Sequence, residues 1–214
     1  MKRGRKERRR AKMSLKKMGL KKKFFRYMLP SVASMWVFSL YTMVDGLFVS
    51  WGVGTDALAA VNLSMPWINL TFAIGLLFAC GASTVVSAAL GRGEKEEACR
   101  LFSMEVVVVC LVSAVVTTLG LLNVDAIARF LGATDRSLPM VREYLSIIIG
   151  FNCCFLVAYS LEVLVKADGF PFLATVGVCA SALVNVVLDW LFVMVFHWGI
   201  AGAAWATGAS QLLG

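Results

Sequence analysis

The sequence predicts an all-α, polytopic transmembrane helix bundle, on three observations. Its 214 residues are 59% hydrophobic with a mean hydropathy of +0.79. Only 16% of the side chains are charged, where a soluble domain carries about 25%. The bases are gathered at one end: 14 of the 21 Lys and Arg lie between Lys2 and Arg26 against a single acid, Glu7. A large soluble catalytic domain is excluded, because a bilayer span consumes roughly 20 apolar residues.

Residues 1–23 form a basic head, expected to be disordered and cytoplasmic. Such a density of charge can hold RNA phosphates. Here it abuts the apolar run that begins at Phe24, which favours the positive-inside reading and no nucleic-acid partner. Met13 is a second candidate start, and Lys16 to Arg26 would orient the chain equally well. A signal peptide is disfavoured: the run from Leu29 to Val53 exceeds the 7 to 15 apolar residues of such a segment and lacks its small-residue cleavage site.

Backbone polar groups cannot be left unpaired in lipid, so turns fall where Gly, Pro and charges cluster. Residues 24–214 then divide into spans at about 30–53, 57–90, 98–122, 138–166 and 170–196, with an incomplete sixth at 200–214. The second would exceed about 50 Å upright, so it must tilt, bend or project; Pro66 and Gly75 are candidate bending points. A short amphipathic piece, Ala126 to Leu131, lies in the polar connection before the fourth span. With the N-terminus inside, 91–97 and 167–169 face the cytoplasm, and 54–56, 123–137 and 197–199 face out. The six cysteines form no CxxC pair and read as small packing residues.

An ionisable side chain within a span costs a few kcal/mol on insertion scales, and so marks a candidate functional site. Asp45, Glu105, Glu162 and Asp189 meet that description. Counted from the cytoplasmic ends, Asp45 lies roughly 25 Å up the first span and Asp189 roughly 27 Å up the fifth, while Thr207 lies roughly 12 Å down the sixth from its outer start. Asn185 is one turn from Asp189, on the same face. Four polar groups thus reach similar height. Two desolvated carboxylates there would share protons or hold a cation, with Asn185 and Thr207 as neutral oxygens. The alternative is that each acid snorkels to the interface or bonds a neighbouring helix separately. Glu162 and Lys166 read as an interfacial i,i+4 ion pair, Glu105 as interfacial, and His197 as solvated in an outer turn. Trp36, Tyr41, Trp51, Trp67, Trp190, Trp198 and Trp205 are too mixed in depth for a simple interfacial belt. The spacing of Gly199, Gly202 and Ala206 indicates close helix packing.

Several segments carry a family resemblance: LPSVASMWVFSLYTMVDGLFVSWGVGTDALAAVN (Leu29 to Asn62), the break LGRGEKEEA, NVVLDWLF (Asn185 to Phe192) and GIAGAAWATGASQ (Gly199 to Gln211). Together they resemble the N-terminal lobe of MATE (multidrug and toxic compound extrusion) transporters, in the bacterial multidrug branch. The resemblance implies a plasma-membrane antiporter of two six-helix lobes, exporting drugs or organic cations against H+ or Na+, with no other cofactor and no enzymatic activity. It implies a cation site at Asp45, Asn185, Asp189 and Thr207, and a first-helix bend at Pro30. Complete members are about twice as long, so a C-terminal lobe is expected as the missing partner. A fragment is expected rather than a homodimeric half-transporter, since alternating access needs one half to move against another. Two other readings follow from the residues. Paired aspartates suit an intramembrane aspartyl protease, though Asp189 sits in VVLDW rather than a GxGD segment. A lipid-linked precursor flippase would share the architecture, but no arginine lies clearly within a span.

Overall fold

The computed structural model describes residues 20–212, so most of the expected basic head lies outside the described residues. The elements, in order, are α1 (Leu20–Gly52), α2 (Thr55–Arg92), α3 (Lys95–Leu122), α4 (Val124–Phe130), α5 (Leu138–Gly150), α6 (Asn152–Ala167), α7 (Pro171–Asp189), a π-helical segment (Trp190–Val195) and α8 (Gly199–Ser210). All described regular structure is helical. Four helices are long and apolar enough to cross a membrane, and the pair α5–α6 makes a fifth crossing when counted as one span.

Several breaks have a local cause in turn chemistry. α2 ends at Arg92 because Gly93 adopts a left-handed conformation (φ 87°), which a glycine takes without steric cost, and its N–H donates to the Ala89 and Leu90 carbonyls. His197, in the turn before α8, is exposed with φ 54°. α1 starts at Leu20 rather than at Pro30 and runs through that proline. The carbonyl of Pro30 accepts hydrogen bonds from Ser34 Oγ and Thr175 Oγ1, both 3.0 Å. The second of these ties α1, at its eleventh residue, to the first turns of α7.

α2 is one uninterrupted helix of 38 residues with Pro66 inside it. Gly75 serves packing: a Cβ there would lie 2.7 Å from Leu156 Cδ2, so the missing side chain is what lets α6 approach. The expected fourth span is broken: α5 and α6 meet at 50° around Phe151. No proline marks the site, but Gly150 precedes it, and the Phe151 ring occupies the space that Gly208 of α8 leaves empty and stacks edge-on against Trp205. The fifth span is also irregular, since α7 passes into the π-helical segment directly after Asp189. That segment is gripped by two glycines. A Cβ at Gly52 would meet Val193 Cγ1 at 2.5 Å, and one at Gly202 would meet the Phe192 carbonyl oxygen at 3.1 Å.

The bundle has two cores. The larger, at the end carrying Asp56, joins Val49, Ala60, Val124, Tyr144, Leu145, Ile149, Val193 and Ala203 among others. The smaller, at the end carrying Arg92, consists of Val86, Ala89, Ala98 and Leu164. Arg136 donates to Asp56 at 2.8 Å, which places the turns at 54 and 136 on the same end, as the alternation of spans requires. The six cysteines are free; Cys80, Cys99 and Cys153 are exposed, so these three are not buried as packing residues would be.

Candidate functional site

Asp45 belongs to α1, one turn before the buried Val49, and retains 7% exposure; Asp189 closes α7 and is fully buried. The fold sets their side chains against each other as direct neighbours. Neither the buried Asp45 oxygen nor either oxygen of Asp189 finds a hydrogen-bond donor among the described residues. Asn185, 1% exposed and one turn earlier on α7, leaves both side-chain polar atoms unpaired, and Thr207 Oγ1 on α8 is likewise buried without a partner. α8 and α1 both pack on α7. Depth counted along the sequence therefore brings the two carboxyls into one site, beside an amide on the same helix. It leaves Asn185 and Thr207 without a hydrogen bond to the acids in this state.

Two further side chains belong to the site. The Tyr41 phenol, one turn before Asp45, and the Tyr144 phenol on α5 both lie within the electrostatic reach of the two carboxyls. Tyr144 is 2% exposed and among the largest fully buried side chains. Sequence reasoning treats Tyr41 as one aromatic among several and passes over Tyr144. The available signal was a hydroxyl-bearing ring in the otherwise apolar stretch after Glu143, and the i,i+4 spacing of Tyr41 and Asp45. The π-helical segment beginning at Trp190 is also new; such segments concentrate at functional sites.

The chemistry of this arrangement follows from what is missing around it. Arg92, Arg129, Arg136, Arg142 and Lys166 pair with Glu94, Asp135, Asp56, Asp125 and Glu162, and Lys95 and Arg100 are exposed. No basic side chain among the described residues neutralises the acid pair. Isolated negative charge in a low-dielectric interior is costly, and two such groups in contact are worse than one. Chemically, such a pair is suited to take up positive charge. Asn185 and Thr207 each hold a buried side-chain oxygen without a hydrogen-bond partner.

Two expectations about other acids resolve differently. Glu162 and Lys166 form the expected ion pair, at 2.5 Å. Glu105, expected near the interface, is covered by protein: it is 7% exposed, and both its oxygens are buried and unpaired. The depth count placed it only two turns into its span, and could not show that α6 covers it. Asn152, at the bend, is 1% exposed with Nδ2 unpaired. It lines a cavity of about 40 Å³ together with Thr71, Gly75, Phe155 and Tyr159.

Comparison with known proteins identifies the class. The sequence model of the family described as MatE matches residues 30–191. The chain belongs to this family of multi-pass membrane transporters, which are not enzymes; the protease and flippase readings gain no support. Among curated relatives, the multidrug export protein MepA of Staphylococcus aureus (strain MRSA252) is 24% identical over 191 residues, 89% of this chain and 42% of the relative. The protein of the same name from Staphylococcus saprophyticus is 23% identical over 197 residues, 90% of this chain and 44% of the relative. This chain thus spans under half the length of the curated relatives it matches. Solved structures agree. A crystal structure of MATE in complex with MaD3S superposes with a TM-score of 0.86 at 25% identity, over 92% of this chain and 44% of the other. An outward-facing multidrug resistance MATE family transporter of the MOP superfamily superposes at 0.84 with 26% identity, over 90% and 42%.

Proposed function

We propose that this chain acts as the N-terminal lobe of a cation-coupled antiporter that exports drugs or organic cations, with a C-terminal lobe as its partner. The observation that carries the reading is the contact between Asp45 and Asp189, buried together with no base beside them. Protons or sodium ions entering from outside neutralise that pair; the neutralised state packs α1 and α7 differently and releases the substrate outward. Asp45 and Asp189 hold the ion, and Asn185 and Thr207 supply neutral oxygens, a set able to take Na+ or H+.

Pro30 is the proposed bending point of α1. Its missing N–H removes one helix hydrogen bond, and its carbonyl already serves hydroxyls from α1 and α7. Solved relatives described as bent and straight conformations of MATE superpose on this chain about equally, at TM-scores of 0.84 and 0.85. The export of drugs rests on the names of the relatives, multidrug export proteins. We place the lobe in the plasma membrane with its N-terminus in the cytoplasm, on the strength of the 14 bases before position 27.

The test is efflux of a fluorescent organic cation from energised cells expressing the transporter. Asp45→Asn and Asp189→Asn should each abolish gradient-driven export. Wild-type rates in either variant would refute the site. Collapsing the proton gradient and removing sodium in separate runs identifies the coupling ion.

A further inference from the structure

A second buried acid lies outside the site described above. Glu105, on α3, is 7% exposed with both carboxyl oxygens buried and unpaired. The polar group beside it is Ser160 Oγ on α6, whose residue is 1% exposed and whose hydroxyl is also unpaired. Three oxygens therefore converge from two helices with nothing to bond but one another.

The helices packed against α3 are α2, α4, α5 and α6, and none brings a counter-charge. Their bases are engaged elsewhere: Arg92 with Glu94 and Glu97, Arg129 with Asp135, Arg142 with Asp125, and Lys166 with Glu162. Along α3 itself Lys95 and Arg100 are exposed. The other titratable groups on these helices include Cys80 of α2, Tyr144 of α5, Tyr159 and Glu162 of α6, and Cys110 of α3 itself, and none of these is a base. An ionised carboxylate in such surroundings would lack the partners that its desolvation demands. A metal ion does not fit, because hard cations such as calcium take about 6 to 8 oxygens and no cluster of three acids, cysteines or histidines exists among the described residues.

We propose that Glu105 and Ser160 form a second proton-binding site of the lobe, independent of the Asp45–Asp189 pair. One carboxyl oxygen takes a proton from water, forming an O–H bond that is donated to Ser160 Oγ, and the bond breaks when the proton returns to water. Occupied, the site joins α3 to α6, the arm of the broken span on the Arg92 side of the bend.

Infrared spectroscopy of the transporter reconstituted in lipid, at neutral pH and with isotopic exchange in heavy water, tests this directly. The wild type should show a protonated-carboxyl C=O band that Glu105→Gln removes. Ser160→Ala should keep that band and move it to higher frequency, as the lost hydrogen bond requires, and this variant decides the matter if the first does not fold. Asp45→Asn and Asp189→Asn should leave the band in place even though they stop transport, so the two readings fail separately. A spectrum unchanged by Glu105→Gln, or a band unmoved by Ser160→Ala, overturns the proposal.

Discussion

The two ends of the bundle are held together by different means. At the Asp56 end, residues from α1, α2, α4, α5, α8 and the π-helical segment interlock in one core, many of them small. At the Arg92 end only Val86, Ala89, Ala98 and Leu164 form a buried cluster, and charged contacts such as Glu162–Lys166 and Arg92–Glu94 stand at its rim. Tyr144 and Val193 belong to the first core; one lies within electrostatic reach of the acid pair and the other is in the segment that follows Asp189. Close packing transmits displacement, whereas exposed ion pairs are weak and screened. The acid pair is thus attached to the better-packed end, as the proposed coupling would require.

The comparison can be broken most severely at the acids. Asp189→Asn should eliminate gradient-driven efflux of a cationic dye, while Lys166→Met at the other end should leave a measurable fraction of it. Next in size is Gly208→Ala, which drives a methyl into the Phe151 ring; overpacking of this kind costs about 1–3 kcal/mol, to be read as a lowered thermal midpoint in detergent. Lys166→Met itself should cost about 1 kcal/mol or less by the same assay, because the pair it breaks is a single i,i+4 contact with each side chain about a fifth exposed. The smallest effect is at Glu94. Its hydrogen bond from Arg92 holds the carboxyl below its ordinary value of 4.5. That contribution is present above the unfolded value and lost as pH falls through the folded one. Glu94→Gln should therefore flatten the acid-side decline of the thermal midpoint slightly and leave the neutral-pH midpoint nearly unchanged.

Most of the long helices were legible because two rules act locally: lipid excludes unpaired backbone, and charges and glycines mark the exits. The contact of Asp45 with Asp189 was legible for a similar reason, since a helix climbs at a fixed rise and equal heights can be counted from either terminus. Features that depend on a neighbour were not. The 50° break at Phe151 arises where that ring enters the gap at Gly208, which lies far along the chain. The π-helical segment has no local signature; Gly52 and Gly202 grip it from two other helices. Glu105 has the composition of an interfacial acid, and only the arrival of Ser160 from α6 makes it a buried one. Tyr144 entered the site through tertiary packing of α5.

The seating of Phe151 against Gly208 sets how the lobe can deform. The ring fills a notch one methyl deep, so the kink and α8 share one contact that tolerates no side chain at position 208. Residues 57 apart in sequence are thereby bound to the same joint, and a change at either would be felt at the other.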